Sequence, residues 1–168
     1  MLKKIALLVV LFALPLGAMA QKFAHMNSQE VIVVMPEYTK AQADLDAMSK
    51  KYQQEMERTQ SEFNKKVQEF QQQADSLPRN IAERRQKELQ ELQEKGMQFQ
   101  QDAQQQLQKS YADMMEPIYK KIEDAIKAVG QEGGYTYIFD LNRTEIPYVN
   151  EAQSTDVTAA VKAKVGIK

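Results

Sequence analysis

The chain has 168 residues, with 22 basic and 23 acidic side chains, no cysteine and no tryptophan. Its length suits a single domain. Because cysteine is absent, a disulfide scaffold and a thiolate zinc site are both excluded. The balanced charge offers no basic patch or stripe of the kind that nucleic-acid binding requires, so no nucleic-acid partner is predicted.

The N-terminus has the pattern of a secretory signal peptide. Lys3 and Lys4 form a basic region, residues 5–14 are apolar, and small residues at 18 and 20 mark a cleavage site. A membrane-spanning helix needs roughly twenty apolar residues, which is more than this run offers. We therefore expect a mature protein that begins at Gln21, acts outside the cytoplasm and, without Lys3 and Lys4, has a net charge of −3 from 20 basic and 23 acidic residues.

A strand and a short helix are predicted at the start of the mature chain. Phe23 and His25 lie on one side of an alternating segment, which indicates a strand. Asn27 follows it as a helix N-cap, with a glutamate three residues later in a capping-box arrangement. Pro36 interrupts this helix and suits the first position of the next one.

Most of the chain is predicted to be one long helical hairpin. Apolar residues recur at steps of three and four, first outbound at Leu45, Met48, Tyr52, Met56, Thr59, Phe63, Val67, Phe70, Ala74 and Leu77. The returning set is Leu89, Leu92, Gly96, Phe99, Ala103, Leu107, Tyr111, Met114, Ile118, Ile122, Ile126 and Val129. The turn is predicted at Leu77-Pro78, because proline disfavours the helical conformation of the residue before it.

The two legs of this hairpin should be long and narrow. The outbound helix is predicted over 36–76 and the return helix over 80–129, with a kink at Pro117 and a terminator at Gly130. At 1.5 Å per residue, a leg of some forty residues is about 60 Å long. A single stripe of this kind can be covered by one partner helix but cannot enclose a globular core.

A second β region is predicted after the hairpin. Residues 135–141 alternate between apolar and polar side chains, residues 142–145 form a turn, and residues 146–150 are the partner strand of a β-hairpin. A final amphipathic helix is then capped by Ser154, Thr155 or Asp156, three candidates between which the sequence does not decide.

These elements predict an α+β fold, with a small β body and a long antiparallel helical arm. The predicted organisation is a signal peptide at 1–20, a body from 21–35 and 130–168, and an arm over 36–129 with its tip near 76–80. A body of about fifty residues buries too little apolar surface to be stable alone, so self-association is expected. The predicted oligomerisation core consists of Phe23, His25, Tyr135, Tyr137, Phe139 and Leu141.

The sequence offers little for catalysis, and no enzyme activity, metal or cofactor is predicted. It has no phosphate-binding glycine loop and no nucleophile motif. The single histidine, His25, is interpreted as a packed structural residue. The glutamine-rich stretches keep the helical period and are interpreted as exposed helix faces, because glutamine is a good helix former. The methionines fit either the hairpin core or an adaptable partner surface, and the core is favoured.

The predicted tip of the arm is locally basic. Arg79, Arg84, Arg85 and Lys87 outnumber Glu83 there. This cluster is either a solvated helix end or a site that contacts anionic lipid or an acidic client.

The order of these features resembles one known family. A Phe23-Ala24-His25-Met26-Asn27 strand, a glutamine- and charge-rich helical hairpin, a Gly-Gly-Tyr-Thr-Tyr-Ile-Phe-Asp strand at 133–140 and a closing helix are similar to the Skp (OmpH-like) periplasmic chaperones. The resemblance covers essentially the whole mature chain. The two strands are its most specific parts, since helical hairpins occur in many proteins.

This resemblance implies an ATP-independent periplasmic holdase. It implies a homotrimer in which three arms surround a cavity for unfolded outer-membrane proteins. Well-known members are strongly basic, whereas this mature chain is slightly acidic, so binding of lipopolysaccharide or acidic clients is expected only at the tip. The alternative is a structural or adaptor coiled-coil protein of the cell envelope.

Overall fold

The computed structural model describes residues 21–73 and 75–167, and the predicted signal peptide lies outside these residues. Within them the chain forms three strands and four helices. These are β1 (Lys22–Met26), α1 (Ser28–Ile32), α2 (Pro36–Gln73), α3 (Arg79–Gly133), β2 (Tyr135–Asp140), β3 (Ser154–Asp156) and α4 (Thr158–Lys164).

The three strands form a parallel sheet with β1 in the centre. On one side β1 pairs with β2, with Phe23 opposite Tyr137 and His25 opposite Phe139. On the other side it pairs with β3, where His25 is opposite Asp156. Parallel neighbours need a long crossover connection. Here α1 and the two long helices make the crossover from β1 to β2.

The predicted α+β class and long helical hairpin are confirmed, but the predicted C-terminal β-hairpin is wrong. Residues 146–150 form no strand, and the third strand is β3, which pairs with β1 instead of β2. Pro147 has no N–H to donate, which disfavours a place inside a sheet. The pairing of β3 continues beyond the strand, because the Val157 N–H donates to the His25 carbonyl at 2.9 Å.

The core lies between one face of the sheet and the helices at the base of the arm. Ala24 and Met26 of β1 are fully buried, and so are Val31, Met35 and Val161 from the segments that cover them. The base of α3 completes this core with Ile118, Ile122, Ala125 and Val129. Since successive residues of a strand point to opposite faces, Phe23 and His25 lie on the other face, which no described helix covers.

Beyond this core, α2 and α3 pack only against each other. The rings of Tyr52 and Phe99 meet edge to face with their centroids 5.9 Å apart. At the tip, the N–H groups of Ser76 and Leu77 donate to the Gln73 carbonyl at 2.9 and 3.1 Å, which closes α2. Because the 38 residues of α2 rise 1.5 Å each, the arm is about 57 Å long.

The return helix is longer than predicted. It ends at Gly133 instead of Val129, and the terminator is Gly134, in the left-handed conformation (φ 64°), instead of Gly130. Gly130 instead lies against the sheet, where a Cβ atom would be 3.5 Å from Ile138 Cδ1. The helix continues on both sides of Pro117. In the described part of the chain, no helix combines the length and apolar character that a membrane crossing needs.

Candidate functional site

The first candidate surface is the open face of the sheet. Phe23 of β1 stacks on Tyr137 of β2 with ring centroids 6.3 Å apart, and Tyr137 stacks on Phe139 at 5.9 Å. Tyr137 is 59% exposed and Phe139 is 39% exposed. Leu141 follows directly after β2 and is also exposed. Aromatic side chains that cluster on an uncovered face are typical of a surface that another protein chain covers.

His25 lies in the middle of this open face and is half-buried. Its Nδ1 atom is 2.9 Å from Ser154 Oγ on β3. Beside it, the Asp156 carboxylate accepts hydrogen bonds from Thr158 N at 2.8 Å and Thr158 Oγ1 at 2.6 Å. Burial tends to raise the pKa of Asp156, but these bonds and the charges of His25 and Lys162 outweigh it, so the pKa is lowered. Three residues were predicted as caps for the final helix, and Asp156 is the one whose side chain accepts a hydrogen bond from the first residue of α4.

The structure brings four of the six predicted core residues together on this face: Phe23, His25, Tyr137 and Phe139. Tyr135 was expected to share their face but packs against the buried core instead. The ladder is irregular between Lys22 and Phe23, which breaks the alternation at Tyr135. The Tyr135 ring also lies over Gly133, where an added Cβ would be only 2.1 Å away.

The basic residues at the tip are paired with nearby glutamates. Arg79 Nε is 2.9 Å from Glu83, and Arg84 Nε is 3.5 Å from Glu88. The remaining two pairs are Arg85 with Glu88 at 3.9 Å and Lys87 with Glu91 at 3.8 Å. Exposed pairs of this kind contribute little stability. The glutamates do offset the local positive charge, so the tip attracts anions less strongly than its arginine and lysine residues alone would.

A second candidate surface runs along α3. From 86 to 119, positions three and four apart on one side of this helix carry only glutamine, methionine or tyrosine. We call this set the uncharged stripe; it consists of Gln86, Gln90, Gln93, Met97, Gln100, Gln104, Gln108, Tyr111, Met115 and Tyr119. All of them except Met115 are exposed. Over 33 residues the stripe is about 50 Å long.

A groove between the two long helices borders the uncharged stripe. Two cavities, of about 240 and 480 Å³, lie next to each other along this groove and share Met56, Gln60 and Gln100 in their linings. Aromatic and aliphatic residues such as Phe99 form the lining, together with glutamines from both helices. Glu57 is the one charged residue in the two linings. The groove and the stripe form a continuous surface of low charge.

The exposed apolar side chains of the arm gather on this surface. Within the described parts of α2 and α3, the large apolar residues that are exposed are Met56, Met97, Tyr111 and Tyr119. The sequence predicted Tyr111 inside the hairpin, but Ser110 is buried there and Tyr111 is 50% exposed. Burial raises the pKa of Tyr119, and the nearby Tyr111 side chain raises it further.

The opposite side of the arm is charged. There the Lys121 Nζ atom lies 2.5 Å from Glu37 Oε1, and this bond lowers the pKa of Glu37. A cavity of about 310 Å³ beside Pro117 is lined there by both of these residues and by Lys40 and Asp44. The two sides of one narrow arm therefore differ sharply in charge. The glutamine-rich sequence predicts long polar surfaces on both helices that can make many weak, unselective contacts. The spacing of the glutamines also indicates which side of α3 is uncharged, a signal that this prediction did not use.

Among the described residues, no group of three or more histidine, aspartate or glutamate side chains could hold a metal ion.

Known proteins share this architecture. The family of OmpH-like outer membrane proteins matches residues 22–165, which is nearly all of the described chain. The crystal structure of an OmpH-like outer membrane chaperone from Caulobacter crescentus CB15 superposes with a TM-score of 0.74, covers 86% of this chain and 83% of the other, and shares 15% sequence identity. At that identity the likeness is one of fold. No curated protein matches this chain in sequence. The chain therefore belongs to the OmpH-like family of outer membrane proteins.

Proposed function

We propose that this protein is an ATP-independent periplasmic holdase chaperone for unfolded outer-membrane protein precursors. Its membership of the OmpH-like family supports a chaperone of this class. The observation that carries the proposal is the arm, in which two helices extend about 57 Å without a core of their own. Such an arm exposes a long side surface to another molecule, while the base of the protein holds it in place.

The active form is proposed to be a homotrimer built on the open sheet face. In the single chain, Tyr137 and Phe139 expose apolar surface, and β2 and β3 each have an unpaired edge. Exposed sheet edges favour pairing with other chains. Association of three copies through this face would cover the aromatic cluster and place three arms around one cavity.

The size of such a cavity suits a compact client. A collapsed chain of 150 residues has a radius of gyration of about 15 Å, whereas the same chain unfolded has one of about 40 Å. Arms of about 57 Å can surround the collapsed form but not the unfolded one. We therefore propose that clients are held as compact, fluid globules.

Contacts at the tip have a smaller proposed role. Arg79, Arg84, Arg85 and Lys87 would touch an acidic client segment, anionic lipid or lipopolysaccharide only after competing with their glutamate partners. Exposed charges are also screened over about 8 Å at physiological ionic strength. The tip therefore adds a weak, salt-dependent contact.

The test is a dilution experiment without nucleotide. A β-barrel protein unfolded in urea is diluted into buffer with and without the purified mature protein, and light scattering follows aggregation. The proposal expects suppression at a near-stoichiometric ratio and a soluble complex of defined mass. Unchanged aggregation would exclude the holdase and favour the structural or adaptor alternative.

A further inference from the structure

We propose that the uncharged stripe of α3, with the groove beside it, is the surface along which the arm contacts an unfolded polypeptide. This inference rests on the proposed holdase function and adds which side of the arm faces the client. The charged side is then the side exposed to solvent.

The chemistry of the stripe fits a polypeptide of any sequence. A glutamine amide both donates and accepts hydrogen bonds, as a peptide group does, so glutamines can pair with the backbone of a client. Met97 and Tyr111 add exposed apolar surface, 51% and 50% accessible. Methionine is unbranched and polarizable, so it adapts to varied apolar partners. The stripe therefore offers both kinds of contact that an unfolded chain needs.

The lack of charge also favours an unfolded polypeptide over a folded partner of defined charge. A neutral surface neither selects nor repels a client by its net charge, and on the stripe itself no charged group must lose its hydration when the client binds. On the other side of α3, ion pairs such as Lys109 with Asp113 at 2.5 Å would have to be desolvated. A collapsed client therefore meets less resistance on the stripe than on the charged side.

A second copy of the arm is a poorer occupant. Helix–helix seams need an apolar residue at about every third or fourth position. On the stripe, Met97 and Tyr111 are separated by 14 residues, about 21 Å, with glutamines between them. Burying those amides in a dry interface would leave hydrogen bonds unmade, which disfavours a stable seam. The spacing suits many weak, exchangeable contacts instead.

The groove gives the client side chains a place to enter. Its larger cavity, of about 480 Å³, is lined by Tyr52, Met56 and Leu107, with Gln53 and Gln104 on opposite helices. An apolar client side chain can pack against this lining while its backbone contacts the glutamines. The groove and the stripe therefore act together on one segment of client.

Two double variants test this assignment. Gln93→Lys with Gln100→Glu places one charge of each sign on the stripe, whereas Gln98→Lys with Gln105→Glu does the same on the charged side. Neither changes the net charge, and all four positions are exposed on α3. In the control, the new side chains lie four residues from Asp102 and Lys109 and can form ion pairs. The stripe variant should bind an unfolded β-barrel protein about tenfold more weakly, and the control within about twofold of the wild type.

A photo-crosslinking residue gives a second readout that does not depend on affinity. Placed at Gln100 it should crosslink to the unfolded client, and placed at Gln105 it should crosslink far less. Equal crosslinking at both positions, or crosslinking from Gln100 mainly to a second copy of the chain, would overturn the inference.

The proposed function and the stripe fail in different ways. If the wild type does not suppress aggregation at all, both are wrong. If the wild type suppresses aggregation and the stripe variant does so equally well, the stripe alone is wrong and the holdase stands. Circular dichroism and light scattering on both variants check that fold and oligomeric mass match the wild type, so that a loss of binding is assigned to the surface.

Discussion

Replacing Phe139 with aspartate should separate the stability of the single chain from the stability of its assembly. In the single chain Phe139 is 39% exposed on the open sheet face. An aspartate there remains in contact with water, so the fold of the protomer should survive. In the proposed trimer the same position is covered, and an unpaired charge buried there is strongly unfavourable.

The magnitude follows from the exposed area. An aromatic side chain has about 200 Å² of surface, so about 80 Å² of Phe139 remains for an interface to cover. At about 25 cal/mol per Å², its loss removes about 2 kcal/mol per protomer, or about 6 kcal/mol for three copies. Burial of the carboxylate adds several kcal/mol. The sum is enough to dissociate an oligomer at micromolar concentration.

Light scattering coupled to gel filtration measures the mass, and far-UV circular dichroism measures the helix content. Phe139→Asp should give a monomer with unchanged helix content. Tyr148→Asp is the control, because Tyr148 is also an exposed aromatic residue (76%) but lies in the irregular segment between β2 and β3, outside the strands of the sheet. A trimer that persists in Phe139→Asp, or a wild type that is already monomeric, would refute this use of the open face.

Three further predictions follow from local features. Gly96→Ala should increase the free energy of unfolding by up to about 1 kcal/mol and so raise the melting temperature, because alanine favours the helix and its Cβ would be 3.9 Å from Thr59 Cγ2, an ordinary contact. A lower melting temperature would show that the arm needs this glycine for packing. Asp156→Ala should destabilise the body by about 1 kcal/mol at neutral pH through loss of the bonds to Thr158. Folding lowers the pKa of Asp156, so its contribution to stability is present above the unfolded-state pKa and is lost as the pH falls through the folded-state pKa. Urea titrations should therefore show that the difference in unfolding free energy between wild type and variant shrinks in acid. A difference that is constant with pH would contradict this. Client affinity should change less than tenfold between about 50 and 500 mM salt, since most contacts proposed for the arm are uncharged. Replacing Arg79, Arg84 and Arg85 with glutamine should reduce that affinity only modestly. A larger salt effect in fluorescence titrations would mean that electrostatic capture dominates.

Sequence periodicity predicted the arm well because its structure is local. Residues three and four apart are neighbours on the same side of a helix, so their spacing alone predicts the buried side. The proline of Leu77-Pro78 likewise predicts the turn from local sequence. The end of α3 was harder to predict, since Gly130 has the composition of a terminator but lies inside the helix, where it packs against Ile138 of the sheet. That contact comes from the packing of helix on sheet and has no signature in the neighbouring residues.

The sheet was predicted least well because its pairing is tertiary. β3 is only three polar residues, Ser154–Asp156, and its strand character comes from hydrogen bonds to β1, which lies 129 residues earlier. Residues 146–150 have the more strand-like pattern but remain outside the sheet. The face of Tyr135 likewise depends on an irregular ladder that alternation alone cannot predict. The uncharged stripe, in contrast, is present in the sequence as a regular spacing of glutamines.

Whether the client is held between the arms is tested by comparing the full protein with one whose arm is shortened. In the shortened protein, residues 63–92 are replaced by a short turn, which removes the distal arm and leaves the sheet and the core beneath it unchanged. Native mass spectrometry with an unfolded β-barrel protein measures both the oligomer and its complex. We expect three copies with one client for the full protein. For the shortened protein we expect three copies that bind the client more weakly, because eight of the ten residues of the uncharged stripe remain. Equal client binding by both proteins would contradict the claim that the client is held between the arms.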